Sequence, residues 1–241
     1  RGFDYYALGE DGWPVMLEEL QKAEKFIFIE YFIIERGEFW NSILSVLKEK
    51  ARDGVDVRVM YDDMGSIHTL PSSYQKQLEA DGIRCVTFNR LNPFLNIIMN
   101  HRDHRKIMVI DGQVAFSGGI NLADEYVNRI RRFGLWKDNV IRVQGPAVWT
   151  CTVLFLTNWN ALRPTDSDYL RFKADARDET LPSDGFIVPY GETPLDTEIT
   201  AQNVYAIMLN QANDYCYIST PYLIIDTDLI NTLILTAKRG V

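Results

Sequence analysis

The residues best suited to chemistry lie in the stretch from His104 to Asp111, which is followed by Gly118-Gly119-Ile120-Asn121. We expect a strand in which His104 and Lys106 share one face, because side chains alternate along a strand. A neutral imidazole can attack phosphorus, and an ammonium group can neutralise a phosphate oxygen. Asp111 lies an odd number of residues from both, so it should face elsewhere or lie beyond the strand end. The stretch therefore predicts a phosphodiester site.

Two glycines precede Asn121, where we expect a helix to begin. Backbone N–H groups of glycines can approach an anion closely, and the dipole at a helix N-terminus favours negative charge. Gly118, Gly119 and Asn121 are therefore the predicted phosphate-binding residues.

The spacing of these residues resembles the signature of the phospholipase D superfamily, His-x-Lys-x4-Asp, six residues, then Gly-Gly/Ser-x-Asn. The flanking segments, residues 100–106 and 123–126, look specifically like those of bacterial cardiolipin synthases. The resemblance implies an α/β fold, an α/β/α sandwich with a mixed central sheet. It also implies a phosphohistidine intermediate on His104, and catalysis without a metal or other cofactor.

By the same resemblance the catalytic set is His104, Lys106, Asp111 and Asp138. Asp138 occupies the place of the carboxylate that holds the second imidazole nitrogen, although a charge at a strand edge is the alternative. For Asp111 we expect a structural hydrogen bond rather than a reactive role, since Asp-Gly also suits a hairpin turn. The nuclease branches of the family usually have Ser where Gly119 stands, so no side-chain contact carries over there.

An internal repeat extends the resemblance. Residues 16–30 match 205–219, and residues 43–55 match 229–241, with a three-residue difference in the connecting loop. In the family two such halves each give one His to a shared active site. We therefore expect a first half over 1–162, a linker over 163–185 and the start of a second half over 186–241. The second copy stops before its own His and Lys, so we expect a fragment that is inactive unless two copies associate.

Composition fits an ordinary globular protein, with 46% hydrophobic and 24% charged residues. A net charge of −8 and a pI near 5.0 argue against a basic nucleic-acid track. No run approaches the roughly 18 apolar residues of a membrane span, and no signal peptide is visible. We expect this chain to be soluble. The resemblance implies a parent enzyme of the bacterial cell membrane, with its active domain facing the cytoplasm and membrane segments upstream.

Hydrophobic periodicity predicts strands alternating with helices. The predicted helices cover 12–24, 39–53, 73–80, 146–162 and 197–212, and the predicted strands cover 26–34, 55–61, 83–88, 106–110, 114–117, 138–144 and 214–222. Asp111-Gly112 predicts a hairpin turn between two of these strands. The cysteines, Cys85, Cys151 and Cys216, lie in apolar segments, and we expect buried reduced thiols.

Three other features leave alternatives open. Asp62-Asp63 could bind a metal, but an acidic loop at a strand end is favoured. Residues 91–99 are apolar and lead into the catalytic stretch, so they are either an approach for acyl chains or a buried core segment. Residues 129–132 carry three arginines, which either grip an anionic headgroup or lie in a solvated loop.

Three functions remain. The first is a phosphatidyltransferase that converts two phosphatidylglycerol molecules to cardiolipin and glycerol at a bacterial membrane. The second is a phosphodiesterase or nuclease of the same fold that acts as a homodimer, against which the low pI and the second repeat count. The third is a non-catalytic binding or scaffold module, against which the intact His104, Lys106 and Asn121 count.

Overall fold

A seven-stranded mixed sheet organises the first of two compact units, Arg1–Tyr190. The computed structural model describes residues 2–90, 102–132, 134–174, 185–192, 199–220 and 222–241. The strands are β1 (Phe3–Tyr6), β2 (Phe26–Tyr31), β3 (Asp56–Asp62), β4 (Arg84–Phe88), β5 (Lys106–Ile110), β6 (Val114–Gly118) and β7 (Val140–Gln144). Their order is β1-β7-β6-β5-β2-β3-β4, with β2, β3 and β4 parallel and the other neighbours antiparallel.

Helices cover both faces of this sheet. They are α1 (Gly9–Gln21), α2 (Glu38–Arg52), α3 (Asp63–Ser66), α4 (Tyr74–Ala80) and α5 (Ala147–Leu162), with short 3-10 helices at Asp124–Val127 and Leu170–Phe172. One core cluster joins α1, α2 and α4 to one face through residues such as Ile27 and Ile29. A second joins α5 to the other face through Phe28 and Val109. The predicted α/β sandwich with a mixed sheet is confirmed.

The central strand β2 is buried at all six positions, which explains its almost continuous apolar sequence. The prediction extended it to Ile34, but the ladder ends at Tyr31. Beyond it, Ile34 forms an isolated parallel bridge with Leu122. Ile34 is thus buried although it lies outside any strand, which explains why the apolar sequence continues past the end of β2.

The β5–β6 hairpin turns where the sequence predicts. Asp111 and Gly112 both have positive φ, 53° and 67°, a conformation that Asp and Gly adopt more readily than other residues. The prediction missed β1, which is a short edge strand paired with β7. Its alternation of exposed and half-buried side chains covers only four residues, which is too brief to stand out from a loop.

The expectation of a helix beginning at Asn121 is wrong. Residues 119–123 are irregular, and only the four-residue 3-10 helix Asp124–Val127 follows. The Asp124 carboxylate instead accepts hydrogen bonds from the N–H groups of Glu38 and Phe39, at the start of α2. The acidic residue therefore caps a helix that comes earlier in the chain.

The segment predicted as a linker, 163–185, has a described part that belongs to the first unit and packs into its core. Phe172 is buried in the α5-side core, and Asp166 forms an ion pair with the fully buried Arg58 at 2.5 Å. The Arg58 guanidinium also lies over the rings of Phe28, Trp159 and Phe172. Residues 175–184 lie outside the described part of the chain.

The second unit, Gly191–Val241, contains two helices, α6 (Thr200–Gln211) and α7 (Thr227–Lys238), that pack on each other. The strand predicted over 214–222 is not found, since the described residues of that segment form no ladder. Its counterpart β2 has β3 and β5 as neighbours, whereas no strand lies beside this segment in the described chain. Cys85 and Cys151 are buried as predicted, but Cys216 is exposed, so that prediction is wrong.

Residues 91–99, the predicted acyl-chain approach, and His101 lie outside the described residues. Among the helices that the structure does describe, none combines the length and the apolar character that a membrane crossing requires.

Candidate active site

His104 and Lys106 meet beside one aromatic ring at the end of the sheet. Lys106 is the first residue of β5 and pairs with Tyr31 at the end of β2, while His104 precedes the strand rather than lying in it as expected. The His104 ring centroid lies 4.7 Å from that of Phe32, and Lys106 Nζ lies 5.5 Å from the same centroid. The two predicted reactive groups are therefore neighbours, although a single regular strand does not align them.

The Lys106 ammonium is almost buried, with the residue only 6% exposed. Its Nζ donates a hydrogen bond to the His104 carbonyl oxygen at 2.7 Å. Burial lowers the pKa of Lys106 to about 8, while the carboxylates of Asp103 and Asp138 oppose that shift. Lys106 is therefore still mostly protonated at neutral pH, and its charge acts through a medium that screens it less than water does.

The His104 side chain is more accessible, and its residue is exposed. Partial desolvation lowers the pKa of His104, and the Lys106 charge lowers it further, against the opposing effect of Asp103. The ring is therefore neutral at pH 7, which is the protonation state of a nucleophilic imidazole. Among the described residues, His104 forms no side-chain hydrogen bond, to Asp138 or otherwise.

The glycine pair makes room for the Asp138 segment. A Cβ atom on Gly119 would overlap the Asp138 carboxylate, and one on Gly118 would overlap the Asn139 carbonyl oxygen. The Gly119 N–H donates to Asn139 O at 3.2 Å. The helix N-terminus expected to support an anion is not present at Asn121, and the Gly119 amide already has an acceptor. Phosphate binding by Gly118 and Gly119 stays a prediction. Asp138 instead lies against Gly119, where its charge acts on Lys106.

Asn121 is buried at 3% exposure and fixed from one side. Its Oδ1 accepts a hydrogen bond from the N–H of Ile33 at 3.0 Å, and the next residue, Leu122, pairs with Ile33 and Glu35 through its backbone. With the Oδ1 atom fixed in this way, the Nδ2 group of Asn121 can donate a hydrogen bond to a bound ligand. The loop that carries Asn121 is thus hydrogen-bonded to residues 33–35, the segment that continues the chain beyond β2.

Asp111 lies at the opposite end of β5 from Lys106. Its carboxylate accepts hydrogen bonds from the N–H groups of Glu24, Lys25 and Phe26, at 2.8, 2.8 and 2.7 Å. These donors lead into β2, so the Asp111 side chain joins the hairpin turn to the start of the central strand. This geometry gives Asp111 a structural hydrogen-bonding role.

Sequence reasoning missed how three residues shape the site, although it had considered one of them, Asp62, as a metal ligand or part of an acidic loop. Phe32 supplies the ring under His104 and Lys106, Asp103 acts electrostatically on both, and Asp62 accepts a hydrogen bond from the N–H of Asp103 at 3.1 Å. Asp62 also caps α3 through the N–H groups of Met64 and Gly65. The position of Asp103 next to His104 was the one available signal, since Phe32 lies in an apolar run without distinguishing features.

The comparison with family models decides the classification. Residues 16–144, which include the whole of the signature, match the model described as "Cardiolipin synthase, PLD-like domain". The chain belongs to this phospholipase D-like family.

Relatives of this family match over almost all of the chain. An uncharacterized protein of Streptococcus mutans is 46% identical over 98% of this chain and 51% of its own length. Cardiolipin synthases of Oceanobacillus iheyensis and Geobacillus kaustophilus are 34% and 35% identical over 100% and 97% of this chain, and over 50% and 46% of their own lengths. The chain thus spans about half the length of the curated relatives it matches.

Solved structures agree on the fold of this phospholipase D-like chain. NucT from Helicobacter pylori aligns over 66% of this chain and 96% of its own, with a TM-score of 0.52 and 13% identity. Nuc from Salmonella typhimurium, a phospholipase D family member, aligns over 68% and 99%, with a TM-score of 0.50 and 16% identity. At these identities the likeness establishes the fold only.

Proposed function

We propose that this chain is the first half, with the start of the second half, of a phosphatidyltransferase that makes cardiolipin and glycerol from two phosphatidylglycerol molecules at a bacterial membrane. The observation that carries the proposal is the neutral, accessible His104 imidazole beside the buried Lys106 ammonium, in a chain of the cardiolipin synthase family. The relatives from Oceanobacillus iheyensis and Geobacillus kaustophilus support a lipid substrate, because they are named cardiolipin synthases and align with all or nearly all of this chain.

In the first step, His104 attacks the phosphorus of one phosphatidylglycerol. A bond forms between the imidazole nitrogen and phosphorus, the bond from phosphorus to the glycerol headgroup oxygen breaks, and glycerol leaves after receiving a proton. Lys106 stabilises the negative charge that builds on the phosphoryl oxygens, and Asn121 Nδ2 offers a further donor. Asp138, held beside Gly119, keeps a negative charge near Lys106 and opposes the loss of its proton.

In the second step, a hydroxyl group of a second phosphatidylglycerol attacks the phosphatidyl-histidine. The new phosphorus–oxygen bond gives cardiolipin, and the His104–phosphorus bond breaks to restore the imidazole. Glycerol departure and hydroxyl activation need a general acid and base, a role we assign to the histidine of a second half. An isolated copy of this chain is accordingly proposed to be inactive unless two copies associate.

The test uses the longer parent protein with phosphatidylglycerol vesicles and lipid mass spectrometry. The unaltered protein is expected to produce cardiolipin and glycerol, and His104→Ala to abolish both. His68→Ala is the matched control, because His68 is an exposed histidine outside the site and its loss should leave the products unchanged. Phosphatidic acid as the only product would mean that water is the acceptor and would refute the transferase. Absence of lipid turnover would refute the lipid substrate itself.

A further inference from the structure

Two buried carboxyl groups lie against the segment that carries His104. Glu30, in the central strand β2, is 0% exposed, and Asp103, next to His104 in sequence, is 5% exposed. The two side chains lie within hydrogen-bonding contact of each other. Neither residue belongs to the signature, and the proposed reaction gives neither of them a role.

Each of these carboxyls has one oxygen bonded and one oxygen in need of a partner. Glu30 Oε1 accepts a hydrogen bond from Asn158 Nδ2 at 2.8 Å, and Asp103 Oδ1 accepts one from the N–H of Arg105 at 3.3 Å. Glu30 Oε2 and Asp103 Oδ2 are buried without a donor among the described residues. Buried polar atoms are rarely left unpaired, because that costs the full desolvation of the group. A proton between the two carboxyls supplies the missing hydrogen bond.

Charge balance supports one proton rather than none. Burial raises the pKa of Glu30 well above its ordinary value, and the charge of Asp103 raises it further, against the opposing effect of Arg105. Arg105 is the cation nearest to Glu30, with Nη1 3.6 Å from Oε1. Arg102 lies instead beside Asp62, at 3.5 Å. The Lys106 charge also interacts with Asp103, but from beyond ion-pairing distance and together with Asp138. Among the described residues, Arg105 is therefore the one cation that is ion-paired with the two carboxyls, and it balances one negative charge.

The pair is connected to the chain on both sides of the reactive histidine. Asp103 precedes His104 and Arg105 follows it, and both of these flanking side chains contact Glu30. The Asp103 N–H is held in turn by Asp62 Oδ2 at 3.1 Å. His104 itself lies outside the β5 ladder, so no strand pairing fixes its backbone. The contacts of its two neighbours do so instead, together with the hydrogen bond from Lys106 Nζ to the His104 carbonyl oxygen.

We propose that Glu30 and Asp103 share one proton, and that this buried acid pair, together with Arg105, positions the His104 backbone for attack on phosphorus. Glu30 and Asp103 are positioning residues, since they act through the chain segment that carries the imidazole. The link to catalysis rests on the proposed function, whereas the shared proton and the position of the ring do not.

Infrared spectroscopy in D₂O tests the proton directly, since a protonated carboxyl has a carbonyl stretch that a carboxylate lacks. We expect a protonated-carboxyl band at pH 7 that disappears in Glu30→Gln. Glu19→Gln is the matched control, because Glu19 is also buried but is ion-paired with Arg142 at 2.9 Å. That variant should keep the band. Absence of the band in the unaltered protein, or its full retention in Glu30→Gln, would overturn the shared proton.

Nuclear magnetic resonance of the His104 imidazole, assigned with His104→Gln, tests the positioning without requiring turnover. Glu30→Gln retains a donor toward Asp103, so the ring resonances should stay close to the original. Glu30→Ala removes the contacts to both flanking residues and should shift them. Turnover of the parent should follow, with a more than tenfold loss in kcat for Glu30→Ala and less than threefold for Glu30→Gln. A folded Glu30→Ala protein with unchanged His104 resonances would overturn the positioning role.

Asp103→Asn covers the case in which Glu30→Ala does not fold. The amide would donate to Glu30, so Glu30 could ionise, and the infrared band should be lost while the fold is kept. Retention of the band would contradict a proton held between these two residues. A protein with the band and the expected His104 shifts, yet without activity on phosphatidylglycerol, would refute the proposed function and leave the acid pair established.

Discussion

Asp111 offers the clearest separation of structure from catalysis, because it belongs to the signature but lies at the far end of β5 from Lys106. In Asp111→Ala the backbone N–H groups of Glu24, Lys25 and Phe26 lose their acceptor. A net hydrogen bond contributes about 1 kcal/mol, and two of these three are solvent-exposed, so we expect a loss of about 2–3 kcal/mol in unfolding free energy. For a chain of this size that corresponds to a decrease of roughly 4–12 °C in melting temperature.

Asp111→Asn is the matched control for this prediction. Its remaining oxygen can still accept the hydrogen bonds from Lys25 and Phe26, and Asn also tolerates the positive φ of 53° at this position. It should therefore lose about half as much stability as the Ala variant. The measurement is urea unfolding of this chain, paired with kcat of the parent protein at a temperature where every variant remains folded. Near-normal kcat with reduced stability is expected. A large loss of kcat at unchanged stability would refute the structural role and place Asp111 in the reaction.

Three further predictions concern the site and its support. Turnover of the parent should rise with pH as His104 loses its proton, because the pKa of His104 lies below its ordinary value of 6.5, and it should fall near pH 8, where Lys106 loses its proton. Lys106→Arg should move the alkaline limb of this profile to higher pH. An alkaline limb that stays in place in Lys106→Arg would assign that limb to another group. Gly119→Ala should displace the Asp138 carboxylate and lower kcat by about 100-fold, as expected for a misplacement of about 1 Å. Combining it with Asp138→Ala should cause little further loss of kcat. Additive losses in the double variant would show that the two residues act separately. Arg58→Met leaves the Asp166 carboxylate only its ion pair with the exposed Arg171 and should lower the free energy of unfolding by about 1.5–3 kcal/mol in urea titrations. A change below about 1 kcal/mol would contradict a structural role for the Arg58–Asp166 ion pair.

Most of the fold was accessible from the sequence because it depends on local pattern. The buried run of β2, the amphipathic α2 and the Asp-Gly turn each carry their own signal within a few residues. The errors fall where the outcome depends on a distant partner. The segment 214–222 has strand-like composition, but a strand also needs a neighbouring ladder. The irregular segment at Asn121 follows from its pairing with the chain beyond β2, which its own sequence does not encode locally.

The same division holds for the site. Residue types and spacing by themselves predicted the reactive pair, His104 and Lys106, and indicated the family to which the chain belongs. Tertiary structure alone decided that Gly119 makes room for Asp138, that Asp111 supports the start of β2, and that Glu30 lies beside Asp103, the residue before His104. The physical reason is that the chemistry of a side chain is intrinsic to its residue type. Burial, hydrogen-bond partners and electrostatic neighbours arise only when segments far apart in sequence pack together.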